Sequence, residues 1–109
     1  MMNAEITPFE LAEKLRAVPA PHLVDVRQLE EHRIAALPGS VLIPLAELPA
    51  RLRELEPWRN QEVVVYCHHG LRSQKALNYL RQVGFDKVRS LQGGIELWSV
   101  QVDPSMPRY

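Results

Sequence analysis

Apolar residues recur with a helical period near the start of the chain. In "TPFELAEKLRAV", Leu11, Leu15 and Val18 share one face, the spacing of an amphipathic helix. Thr7 is a plausible N-cap, Pro8 suits the first helical position, and Glu10 completes a capping-box pattern. The pattern then changes: "PAPHLVDVR" is a turn leading into a short strand centred on Leu23 to Val26. "QLEEHRIA" reads as a short helix stopped by Pro38-Gly39, and "SVLIP" as a second strand. "LAELPARLRELEPW" suggests one or two helical turns restarting at Pro49, with Leu48, Leu52 and Leu55 on one face.

The uninterrupted apolar run in "QEVVVY" suits a central strand of a parallel sheet, buried on both faces. "SQKALNYLRQVG" predicts a helix with Ala76, Leu77, Leu80 and Val83 inward and Gly84 as its stop. "DKVRSL" is a last short strand, "GGIELWSV" a turn into a short helix, and an irregular tail runs from about residue 101. Strands alternating with helical segments predict an α/β fold, a small, mainly parallel central sheet flanked by helices on both faces. Residues 1–109 read as one domain, with no internal repeat, low-complexity tract or linker.

Composition narrows the function classes. Thirteen Lys and Arg balance thirteen Asp and Glu, so no net field draws the chain to nucleic acid or anionic membrane, and neither is an expected partner. No apolar run approaches the roughly 20 residues that span a bilayer, and "MMNAEITPFE" lacks the basic and apolar regions of a secretory leader. The lone cysteine, Cys67, cannot form an internal disulfide, which predicts a reducing cytoplasm.

Cys67 sits at the carboxyl end of the central strand, where open parallel sheets bind ligands. His68 to Ser73 bridge strand and helix, with Gly70 in the middle. Such a curl turns backbone N–H groups inward as an anion nest. The helix predicted to begin near Ser73 adds its positive end, and Arg72 adds a permanent cation with a planar donor fork. All three favour a thiolate. A lone cysteine after a Val-rich strand is also a common core residue, but two histidines, a glycine, an arginine and a serine are poor core companions. A structural zinc is not expected. Adjacent His68 and His69 rarely aim at one ion, and no second Cys or His pair has metal-ligand spacing.

"CHHGLRS" resembles the active-site loop of rhodanese-like sulfurtransferases, and the resemblance covers nearly the whole chain. "LVDVRQLEEHRIAALPGSVLIP" resembles the family's opening segment: Asp-Val-Arg, an acidic pair, then a Pro-Gly turn before a second strand. "LQGGIELW" is similar to its closing Gly-Gly-Ile-x-x-Trp segment. Ala35 and Ala36 stand where the family often has Gly-His, so no polar contribution is expected there. Cysteine phosphatases of the same fold class place five residues between cysteine and arginine. Here four residues, His68 to Leu71, separate Cys67 from Arg72, a smaller cradle that suits one added sulfur. Tyr66 also stands where those phosphatases have a histidine.

The resemblance implies a double displacement in which Cys67 takes a sulfur from a donor such as thiosulfate and carries it as a persulfide. Cyanide, a thiol or a protein then removes it. The backbone N–H groups of residues 68 to 72 would hold the persulfide, and Arg72 would orient an anionic donor. His68 and His69 can carry part-time positive charge near neutral pH, although a solvated loop role suits His69 equally. Leu71 is expected to form an apolar rim. Ser73 either caps the helix or hydrogen-bonds the sulfur, with capping the expected role.

Asp25 and Arg27 lie at the end of an earlier strand and are expected to face the same side of the sheet as Cys67. They either support the site from behind or, as favoured here, Arg27 pairs with Glu30 or Glu31 to fix the turn. Gly93-Gly94 serves a close backbone approach or positive φ. Trp98 belongs to the core, and His22 and His32 to the surface. No cofactor is expected beyond the sulfur itself. The tail "DPSMPRY" resembles the end of rhodanese domains fused behind adenylating enzymes that activate ubiquitin-like sulfur carriers. Expected partners are therefore a small anionic sulfur donor and a thiol or protein acceptor, thioredoxin-like or a ubiquitin-like sulfur carrier. With no second cysteine, turnover needs an external thiol. The competing functions are a persulfide carrier or docking module in a sulfur relay and, disfavoured by loop length, a phosphatase or arsenate reductase.

Overall fold

The run Val63–Tyr66, buried at every position, is the middle strand of a five-stranded parallel sheet. A computed structural model of the chain describes residues 3–109; Met1 and Met2, which open the segment read for a leader, lie outside them. In chain order the elements are β1 (Glu5–Ile6), α1 (Pro8–Leu15), β2 (His22–Asp25), α2 (Leu29–Ile34), β3 (Val41–Leu42), β4 (Val63–Tyr66), α3 (Leu71–Gln82), β5 (Val88–Leu91) and α4 (Gly94–Gln101). Two 3-10 segments, Leu45–Glu47 and Leu52–Trp58, connect β3 to β4. The strand order is β1-β5-β4-β2-β3. Every pairing is parallel, so all carboxyl ends open on one edge of the sheet.

Alternation along β4 divides the interior in two, because successive strand side chains point to opposite faces. Val63, Val65 and Cys67 join Ala76, Leu77 and Leu80 of α3 in one cluster. Val64 and Tyr66 join Leu11 of α1 and Ile95 and Trp98 of α4 in the other. Helices thus cover both faces, as the sequence predicts, and Trp98 is core. Among the described residues no helix is long and apolar enough to cross a membrane.

Several boundaries differ from expectation. The N-terminal helix has its Thr7 cap, whose hydroxyl accepts the Glu10 amide at 3.1 Å, but stops at Leu15. Val18 lies beyond it and is 97% exposed. The Leu-rich stretch before β4 is 3-10 rather than α-helical; Leu48 and Leu55 are buried and Leu52 packs beside them. Most consequential, α3 begins at Leu71 and not near Ser73, with Gly70 at φ +112 in the cap position.

Candidate active site

Cys67 is both a core residue and a polar centre. Only 1% of it is exposed and it packs in the α3-side cluster. Its sulfur nevertheless accepts the Gly70 amide at 3.1 Å and the Ser73 amide at 3.3 Å. Of the predicted set of loop amides, Gly70 reaches the sulfur itself, and Ser73 joins it from the first turn of α3. The Ser73 hydroxyl lies 3.5 Å from Sγ and also bonds the Gly70 carbonyl and Ser90 Oγ. The expected capping role for Ser73 is therefore corrected. The helix starts two residues earlier, which turns Ser73 inward against the sulfur.

The loop is held in place by the start of α4. Amides of Ile95 and Glu96 donate to the carbonyls of Cys67 and His68 at 2.9 and 3.1 Å. The approach requires glycine at position 94: φ there is +63, and a Cβ would collide with the His68 carbonyl. Gly-Gly-Ile thus acts through backbone proximity.

Arg72 does not project as a free cation. Its guanidinium makes a two-pronged ion pair with Glu31, at 2.7 and 2.9 Å. The hydrogen bonds from Arg72 hold the Glu31 carboxyl down to about 2, while Glu31 raises Arg72. Tyr109 arrives from the tail to join them. Its hydroxyl lies 2.7 Å from both Glu31 Oε2 and Arg27 Nη1, and its ring stacks on His68 with centroids 3.8 Å apart. Burial, then the neighbouring His69 imidazole, lowers His68. Its Nε2 is buried without a hydrogen-bond partner among the described residues. His69 is exposed beside it, and Leu71, 75% exposed, forms the apolar rim.

Arg27 pairs with Asp25, not with Glu30 or Glu31. Both side chains are fully buried, Asp25 as the last residue of β2 and Arg27 just beyond it. Arg27 donates to Asp25 through its amide, Nε and Nη2, and to the Ala35 carbonyl at 2.6 Å. Asp25 also receives His32 Nδ1 at 2.8 Å and the Tyr66 hydroxyl at 3.2 Å. Burial works against the Asp25 carboxylate, but the bonds from Arg27 and His32 outweigh it and lower the group below the usual range. Burial and the Asp25 charge push Tyr66 up to about 12. His32 is therefore an inward partner of this network. His22 is likewise not a free surface residue, since it stacks on Trp58 and bonds Gln61 at 2.6 Å.

Sequence reasoning missed Ser90 and Tyr109. Ser90 is a small hydroxyl between Arg89 and Leu91 in β5, and only its burial marks it out; Tyr109 offers no signal locally. Among the described residues no three His, Cys, Asp or Glu side chains converge in a metal-binding group. A sulfur held by two amides, at the start of a helix and at the carboxyl edge of a parallel sheet, is arranged to be stabilised as an anion.

The rhodanese-like domain profile matches residues 7–101. The chain belongs to the rhodanese-like domain family. A protein of Allochromatium vinosum named "Sulfurtransferase" is 34% identical over 99 residues, covering 91% of this chain and 90% of that protein. "Adenylyltransferase and sulfurtransferase MOCS3" of Arabidopsis thaliana is 37% identical over 121 residues, covering 98% of this chain and 26% of that protein. The chain thus spans about a quarter of that relative's length. The rhodanese-like domain protein of Staphylococcus aureus superimposes with a TM-score of 0.83 at 30% identity, covering 98% and 99% of the two chains. Both the parallel α/β architecture and the family expected from the three motifs therefore hold.

Proposed function

We propose that this domain transfers sulfane sulfur through a Cys67 persulfide, without a cofactor. The observation that carries the reading is the double N–H cradle on Sγ, from Gly70 and Ser73 at 3.1 and 3.3 Å. The Cys67 thiolate attacks the outer sulfur of a donor such as thiosulfate. The bond between that sulfur and the sulfonate breaks, and sulfite leaves with the electron pair. The amides of Leu71 and Arg72, in the first turn of α3 and without intrahelical acceptors, hold the outer sulfur of the resulting persulfide anion. An acceptor nucleophile (cyanide, a thiol or a protein thiolate) then takes that sulfur and restores the Cys67 thiolate.

One observation favours a relay between proteins over turnover of small anions. Both cations near the loop are already neutralised, Arg72 by Glu31 and Arg27 by Asp25. A thiosulfate dianion must compete with Glu31 for Arg72. A donor that brings its sulfur as a protein persulfide, or an acceptor such as a ubiquitin-like carrier, depends less on that charge. The relative that joins an adenylyltransferase to a sulfurtransferase in one name supports the same partner class.

Intact mass after incubation with thiosulfate tests the core reading. The expected product carries one extra sulfur atom, lost on addition of cyanide and absent in Cys67→Ser. An unmodified chain with thiosulfate and with a protein persulfide alike would refute it. Loading by the protein persulfide but only sluggishly by thiosulfate would select the relay.

A further inference from the structure

Ser90 lies in β5 with no exposed surface. Its hydroxyl is 2.7 Å from Ser73 Oγ and meets no other hydrogen-bond partner among the described residues. A buried hydroxyl proton needs an acceptor, and Ser73 Oγ is the one in reach. The direction of this bond therefore follows: Ser90 donates and Ser73 accepts. That leaves the single Ser73 proton two outlets, the Gly70 carbonyl at 3.1 Å and the Cys67 sulfur at 3.5 Å.

The choice between them depends on the state of the sulfur. A protonated Cys67 donates its own hydrogen to Ser73 Oγ, and the Ser73 proton goes to the Gly70 carbonyl. A thiolate has no hydrogen and accepts instead, so the Ser73 proton turns toward Sγ as a third donor beside the two amides. Donation from Ser90 polarises the Ser73 O–H in that state, as hydrogen bonds in series strengthen one another. It also denies Ser73 the alternative of donating back to Ser90.

We propose that Ser90 is a positioning residue that acts through Ser73 to stabilise anionic Cys67. This role rests on the persulfide reading only in its biological purpose; the hydroxyl chain acts on the thiolate whether or not sulfur is ever loaded.

The test is the pH profile of Cys67 alkylation by iodoacetamide in the parent chain, Ser90→Ala, Ser73→Ala and the double variant. In Ser90→Ala the profile is expected to move to higher pH, with a roughly three- to tenfold slower reaction near neutrality, the scale of a weakened hydrogen bond to a charged group. On the Ser73→Ala background, Ser90→Ala is expected to change nothing further. Ser90→Thr, which keeps the hydroxyl, is expected to restore the parent profile. An unmoved profile in Ser90→Ala would overturn the proposal, and so would an equal displacement with and without Ser73. Thermal unfolding of each variant identifies loss of fold, and the double-variant comparison stands even if the threonine fails to pack. Failure of sulfur loading with an intact Ser90 effect would sink the persulfide reading alone.

Discussion

Two hydrogen bonds from Arg72 hold the Glu31 carboxyl down to about 2, against an ordinary 4.5. Because the folded value lies below the unfolded one, the pair stabilises the fold fully above about pH 4.5. That contribution is lost as pH falls toward about 2. The displacement corresponds at face value to roughly 3 kcal/mol. Arg72 is 35% exposed and open to screening by solvent, which reduces it to about 1–2 kcal/mol. Glu31→Gln is therefore expected to flatten the acid side of the stability curve between about pH 4.5 and 2, measured by urea unfolding at a series of pH values. Asp25, lowered in the same direction, keeps a residual slope in the variant. An acid limb as steep as the parent's would show that the contact carries no electrostatic stabilisation.

At the scale of elements, legibility follows the length of the pattern. β4 and α3 are readable because four consecutive buried residues and three helical turns each repeat one physical constraint. The strands β1 and β3 have two residues each, too few for alternation to register. The Leu spacing at 48, 52 and 55 is α-helical, yet Leu48 ends one 3-10 segment and Leu52 and Leu55 lie in the next, so packing and not one continuous helix brings them together. The loop residues are legible as a set, yet the start of α3 is not. Gly70 reads as the middle of a curl, whereas its left-handed φ makes it the helix cap. Arg27 has three nearby carboxylates in sequence, and burial, which sequence does not display, selects Asp25. The junction of α4 with the loop offers a test at this scale. Gly94→Ala meets both a positive φ and the His68 carbonyl, whereas Gly39→Ala meets a positive φ and open space. Strain alone costs about 1–3 kcal/mol. Gly39→Ala is expected to lower Tm by roughly 4–8 °C for each kcal/mol of that strain. Gly94→Ala is expected to lower it at least twice as far and to slow Cys67 alkylation as well. Equal losses in the two variants would mean that backbone proximity at position 94 is not what holds the loop.

At the scale of the whole molecule, the tail closes the circuit between the two ends of the site. Past α4, Ser105 folds back on Asp103 through two hydrogen bonds, and Met106 packs against the α4-side core. Arg108 then pairs with Glu96 at the start of α4. These contacts deliver Tyr109 to a position between Arg27, Glu31 and His68, 78 residues along the chain from Glu31. Burial, and then the hydrogen bond to Glu31, raises the Tyr109 phenol to about 12, so the hydroxyl stays protonated and bridges the two ion pairs at any physiological pH. The tail is thus a wall of the site, held by these contacts and by the Tyr109 ring on His68. Removing residues 103–109 is expected to speed alkylation of Cys67 by a bulky maleimide several-fold more than by iodoacetamide, because it opens space over His68 without altering the amides on the sulfur. Tyr109→Phe, which keeps the ring on His68 but loses both hydroxyl bonds, is expected to fall between parent and truncation. The ratio of the two alkylation rates is the decisive quantity. If truncation accelerates both reagents equally, the tail acts on the reactivity of the sulfur and not on access to it; if neither rate changes, the wall does not limit entry to Cys67 at all.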